Sequence, residues 1–182
     1  MRCTQPNSEN GVDRATISSR ASWHRRRFLW LAAKMTLQDW AEKGWLKRHT
    51  TSRQEVKNLL GIVERDLADA GSVAVSADWR FGIAYNASLK LCTVLLYASG
   101  YKPEKLLAHY RTLQSLPLIL GGKHRSDAEY LETCRRKRNT AEYDYAGAAT
   151  DADAVELSKF ASGLQKEVLA WLREHAPELL KP

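Results

Sequence analysis

A chain of 182 residues that is 44% hydrophobic suits one domain with a single core and needs no covalent staple to fold. Of its formal net charge of +7, residues 1–34 carry seven Lys/Arg against Glu9 and Asp13, which places +5 in that leader and +2 in the remaining 148 residues. The basic balance is therefore weak support for nucleic-acid binding by the folded part. Cys3, Cys92 and Cys134 include no CxxC pair, and His24, His49, His109, His124 and His175 never fall at ligand spacing. This excludes a disulfide framework and a zinc site, so neither metal nor cofactor is expected, and the thiols suit a reducing, cytoplasmic compartment.

In the leader, Arg25-Arg26-Arg27-Phe28-Leu29 matches the core of a twin-arginine export signal. Its apolar run ends at Ala33, before Lys34, and is shorter than the roughly 7–15 residues an export segment needs. Residues 1–34 are accordingly expected to be a disordered or loosely attached basic leader, with Met35 as an alternative start. The helical domain then spans 35–182. No stretch reads as a run of the ~20 apolar residues that would cross a membrane.

The domain opens with a short amphipathic piece over 35–48, with Leu37, Trp40 and Ala41 on one side. Ser52-Arg53-Gln54-Glu55 is a capping-box pattern. It opens a helix on which Val56, Leu59, Leu60, Val63 and Leu67 recur at helical spacing until Gly71. From Ser76 to Ser99 the chain is apolar on nearly every side, the mark of a helix at the centre of a bundle or at a subunit interface, and Gly100 ends it. Pro103 fits a first helical position before Leu106, Leu107, Tyr110 and Leu113. Pro117 and Gly121-Gly122 interrupt, and Ser126-Asp127-Ala128-Glu129 reads as a second capping box starting a helix over 126–145. Thr150-Asp151-Ala152-Asp153 caps the last helix, whose stripe of Leu157, Phe160, Ala161, Leu164, Val168, Trp171 and Leu172 stops before Pro177. Four substantial helices with short connections predict an all-α, antiparallel (up-and-down) four-helix bundle preceded by a short helix.

On the helix over 126–145, Tyr130, Cys134, Arg138, Ala141 and Tyr145 share a seam. This puts Arg138 in the apolar seam and leaves Arg135, Arg136 and Lys137 to reach water. An apolar seam obliges a guanidinium to find acceptors. The plain alternative is an i,i+4 pair with Glu142.

The run Arg135-Arg136-Lys137-Arg138-Asn139-Thr140-Ala141-Glu142-Tyr143 resembles the Arg-Asn signature of HEPN domains, in which Arg is followed after four to six residues by His. Ala84-Tyr85-Asn86-Ala87-Ser88-Leu89, the turn Ala98-Ser99-Gly100-Tyr101 and His109-Tyr110-Arg111-Thr112-Leu113 resemble that family's central and following helices, so the likeness covers roughly residues 50–175. It implies a homodimer whose Arg-Asn motifs meet in a cleft, with Arg on an RNA phosphate and His activating a ribose 2′-hydroxyl without metal. Carried onto this chain, the candidate catalytic set is Arg138, Asn139 and Tyr143, with Arg135, Arg136 and Lys137 as RNA-phosphate contacts. Tyr143 stands where the family has His, and a phenol titrating near 10 is a poorer base at neutral pH than an imidazole near 6.5. The resemblance thus implies RNA binding more directly than turnover. Nothing in the spacing sets His109 or His124 beside Arg138; His124 reads as a loop residue and His109 as a packed or partly exposed helix residue.

A subgroup paired with minimal nucleotidyltransferase antitoxins resembles Arg, four residues, His, one residue, Tyr. That pattern falls on Arg138, Tyr143 and Tyr145 and makes Tyr145 a candidate nucleotidylation target, against the plainer reading of a core aromatic. The alternative to an RNA-acting protein is therefore a non-catalytic dimerisation module that docks on a nucleotidyltransferase. A DNA-binding regulator would rest on the Trp23–Arg27 cluster, but no helix-turn-helix accompanies it.

Overall fold

The computed structural model describes residues 35–181; the leader over 1–34, with its export-signal pattern, lies outside the described residues. Helix dominates. The first helix, α1 (Leu37–Glu42), is held by a complete capping box between Thr36 and Asp39. Gly44, at φ +68°, turns the chain out of it, and Leu46–Arg48 becomes a strand (β1) instead of prolonging the helix. β1 pairs antiparallel with β2 (Tyr101–Pro103), Leu46 opposite Pro103 and Arg48 opposite Tyr101. This small sheet was not anticipated, and it shows the helical assignment of Pro103 to be wrong. Its stabilising contacts are long-range: Leu37, Trp40 and Ala41 pack on Leu46, Leu96 and Tyr101, and the Arg48 guanidinium lies 4.6 Å from the Tyr101 ring centroid.

Helix α2 (Arg53–Ala70) begins on Ser52, whose hydroxyl accepts from the Glu55 amide at 3.1 Å. The return half of the expected box is diverted, because the Glu55 carboxylate binds His49 and Thr51, each at 2.8 Å. Gly71 is the C-cap as predicted.

Helix α3 (Ala77–Ala98) runs through the interior, with Phe81, Ala84, Tyr85, Leu91, Val94, Leu95 and Leu96 among its buried residues. It is the one helix among the described residues long and apolar enough to cross a membrane by length and composition, which the sequence reading had not registered. Its apolar surface is instead covered by protein, since α3 packs against α2, against α4 (Ala108–Gln114), against α6 (Arg125–Tyr143) and against α7 (Asp151–His175). A short α5 (Leu116–Ile119) and a 3₁₀ turn (Gly122–His124) link α4 to α6, and a last 3₁₀ turn spans Pro177–Leu179.

Three boundaries differ from the sequence reading. Because residues 101–103 pair in the sheet, α4 starts only at Ala108, after Leu107 in left-handed geometry (φ 56°), and Leu106 and Leu107 stand exposed. Helix α6 starts at Arg125, one residue before the supposed Ser126 cap, with His124 at the N-cap and no side-chain cap bond. It ends at Tyr143, so Tyr145 lies in the following turn. The α7 cap, by contrast, is the full Thr150–Asp153 box.

The turn between α6 and α7 is tied back to the start of α3. Asp78 accepts from the amides of Gly147 (2.5 Å) and Ala149 (2.7 Å), while buried Arg80 donates to the Ala70 carbonyl and to Asp151. These amide bonds hold the Asp78 carboxyl below its ordinary pKa. A carboxyl depressed in the fold adds stability above its unfolded pKa of ~3.9 and loses it as pH falls through the lower folded value. Asp78→Ala should therefore cost about 1–2 kcal/mol at pH 7, read as a lower urea midpoint at unchanged slope. The difference from wild type should shrink below about pH 4; a gap that widens in acid contradicts the assignment.

Candidate functional site

The predicted basic motif proves to be largely neutralised from within. The buried face of α6 carries Ala128, Leu131, Glu132 and Cys134, and Glu132, 8% exposed, is a carboxylate the motif reading overlooked. It takes Arg135 Nε at 2.8 Å and Arg136 Nε at 3.1 Å, and the Arg135 bond, opposed by burial and aided by Arg136, holds its carboxyl below the usual range. Lys137 is bound by Asp153 at 2.6 Å and lies 5.8 Å from the Phe81 ring, which draws Asp153 down to about 2. Only Arg136 of the three cations reaches outward as predicted; Arg135 and Lys137 fold back because acidic partners wait on their own and the neighbouring helix.

Arg138 does not sit in an apolar seam either. Its guanidinium is half-buried and pairs with Glu142 at 2.6 Å, the i,i+4 alternative, and its Nη1 reaches Asn139 Oδ1 only at 3.5 Å. What gives Arg138 a site is the cleft it lines with Glu142, of about 240 Å³, between α3, α6 and the ends of α2 and α4. From α3, Trp79, Gly82, Ile83, Tyr85 and Asn86 face this space; α2 adds Arg65 and Asp66, and α4 adds His109. Gly82 lets α6 come close at this point: a methyl there would stand in ordinary contact, 3.8 Å from Glu142 Oε1 and 4.0 Å from Arg138 Cγ. A mid-helix glycine costs about 1 kcal/mol relative to Ala.

The polar groups here are unevenly satisfied. Asp66 is buried and saturated, taking Arg65 on Oδ1 and Asn86 Nδ2 on Oδ2. The Tyr85 hydroxyl is buried with no hydrogen-bond partner, and burial, against the opposing charges of Arg135 and Arg138, raises its pKa well above the ordinary phenol value. It remains an O–H donor at all physiological pH.

His109, which the spacing could not place, lies on the same cleft as Arg138. Among the described histidines it alone has no hydrogen-bond or ion-pair partner on its ring; His49, His124 and His175 are each bound. Partial desolvation, then the charges of Lys90, Arg138 and Arg135, hold its pKa below the ordinary value. The signal that could have found it is the tertiary one of α4 crossing α3, invisible to local spacing. His124, in the 3₁₀ turn before α6, is buried, bonding Asp127 at 2.8 Å and approaching Glu167 at 3.5 Å, and so joins α6 to α7.

Tyr143 and Tyr145 are 76% and 63% exposed and neither lines the cleft. Tyr143 thus takes no place beside Arg138, and Tyr145 is not a core aromatic. A larger groove of about 560 Å³ between α6 and α7 is walled by Tyr130, Phe160, Asp127, Glu156 and Glu167 with Lys159; its excess of carboxylates repels phosphate. Cys92 and Cys134 are buried free thiols, pushed up to about 12 and about 11 by desolvation. Among the described residues no group of three or more His, Cys, Asp or Glu could hold a metal. No family model, curated protein or solved structure matches the chain.

The His109 environment is directly measurable. By NMR titration its midpoint should lie below ~6.5 and move up in Arg138→Ala, which removes one like charge. An unmoved midpoint would mean that the two side chains do not share a field.

Proposed function

We propose that the chain is a HEPN-type, four-helix-bundle RNA-binding protein in which Arg138 receives an RNA phosphate and His109 stands in for the motif histidine. The observation that carries this reading is the convergence of Arg138 and a partnerless imidazole on one cleft. Each has the chemistry the reaction asks for. A guanidinium offers a permanent charge and a planar fork for phosphate oxygens. A neutral imidazole can take the proton of a ribose 2′-hydroxyl as that oxygen attacks phosphorus and the 5′-oxygen departs with a proton from solvent. Arg138 can stabilise charge growing on the phosphoryl oxygens. No step calls for a metal, and Tyr143 takes no part in this scheme. A homodimer is part of the proposal; the exposed Leu106, Leu107 and Tyr110 flanking His109 are the apolar surface that supports it. The two buried thiols support a reducing cytoplasmic setting.

A second reading is favoured by the exposure of Tyr145: a non-catalytic helical module whose partner nucleotidyltransferase modifies that hydroxyl. Intact-mass analysis after incubation with such an enzyme and ATP, compared with Tyr145→Phe, distinguishes it.

On the main reading, wild type binds single-stranded RNA at low salt and Arg138→Ala weakens it about 10- to 100-fold, the loss of a charge-assisted contact of ~1.5–3 kcal/mol. His109→Gln should leave binding nearly intact and cut cleavage by roughly 10²-fold or more. Wild type that neither binds nor cleaves RNA at low salt sinks the proposal.

A further inference from the structure

The cleft contains more than a phosphate contact requires. Trp79, Ile83 and Asn86 recur at i, i+4 and i+7 on α3 and form one stripe along the wall opposite Arg138. Trp79 leaves 63% of its surface in water at the cleft, an unusual placement for the largest apolar side chain unless a ring covers it. Two turns further along, Asn86 commits its Nδ2 to Asp66, which fixes the amide and leaves Oδ1 as the free acceptor.

Resting on the RNA reading of Arg138, we propose that this cleft is a single-nucleotide pocket for unpaired RNA, with the base stacked on Trp79 and its edge donating to Asn86 Oδ1. The nucleotide's phosphate then faces Arg138. A base inside a duplex presents no face to Trp79, so the pocket takes single-stranded or looped RNA and refuses a double helix. A volume of about 240 Å³ holds one base and its sugar edge, not a stack of several. Trp79 forms no ring contact or cation–π pair of its own among the described residues, in contrast to Trp40, Trp45 and Trp171.

The test is fluorescence anisotropy of the full chain with a labelled ten-nucleotide single-stranded RNA, the same backbone made abasic, and a blunt duplex of equal length. Trp79→Ala should weaken binding of the base-bearing strand about 5- to 100-fold, the range for stacking of ~1–3 kcal/mol per base. Trp79→Phe should recover most of it. The abasic strand and the duplex should bind wild type weakly and respond little to Trp79→Ala. If Trp79→Ala binds like wild type while Arg138→Ala is impaired, the stacking pocket is wrong and the phosphate reading stands. If wild type favours the duplex, or binds abasic and base-bearing strands alike, the pocket is likewise overturned. If no RNA binds wild type, both readings fall together.

Discussion

Helix α3 buries twelve of its 22 residues. A helix this apolar cannot be stable at a surface, because each exposed Leu or Val forgoes about 1.5–3 kcal/mol of burial. The long helices α2, α6 and α7 and the short α4 are each placed where they cover a part of it. The surrounding elements need be amphipathic only on one stripe, as α7 is with Leu157, Ala161, Leu164, Val168 and Leu172. Loops that let a cover helix drift would expose α3, which is why the turn after α6 is bound to Asp78 and why Arg80 reaches from α3 to both Ala70 and Asp151.

The same constraint makes the cleft. Where α3 emerges between α2 and α6, small and polar residues replace large apolar ones: Gly82, then Asn86, with buried Asp66 opposite. Gly82 lets α6 approach closely there, and Glu142 and Arg138 pair with each other beside it. Polar groups stranded at such a gap cost stability, and a fold that tolerates an unpaired Tyr85 hydroxyl beside two guanidiniums has sacrificed some packing for a hole of defined chemistry.

Much of the helical architecture was legible in the sequence, because capping and periodicity are local. The Thr150 cap, the Gly71 stop and the apolar α3 are all where spacing put them. The failures share one cause. Pro103 pairs with a strand more than fifty residues away, Glu132 draws in Arg135, which a helical wheel points outward, and His109 reaches the Arg138 cleft only through the crossing of α4 over α3. Each is decided by a partner distant in sequence or on a neighbouring face, which overrides propensity. Arg138 itself was singled out by residue type, but its surroundings, polar and half-open instead of apolar, were not readable from the seam alone.

The pairing of Arg138 with Glu142 bears on how a ligand enters. A partly exposed i,i+4 ion pair is worth only a few tenths of a kcal/mol, so exchanging the carboxylate for a phosphate costs little. With Asp66 and Glu142 balancing Arg65 and Arg138, however, the cleft has no net charge to spend on a polyanion. An RNA gripped through one phosphate releases about one counterion, so its affinity would fall only gently with salt. Electrostatics alone would then leave binding at the weak, sequence-blind level. Whatever tightens it must come from uncharged contacts in the same space, and the side chains there with apolar area and directional polarity to offer are Trp79, Ile83, Asn86 and Tyr85.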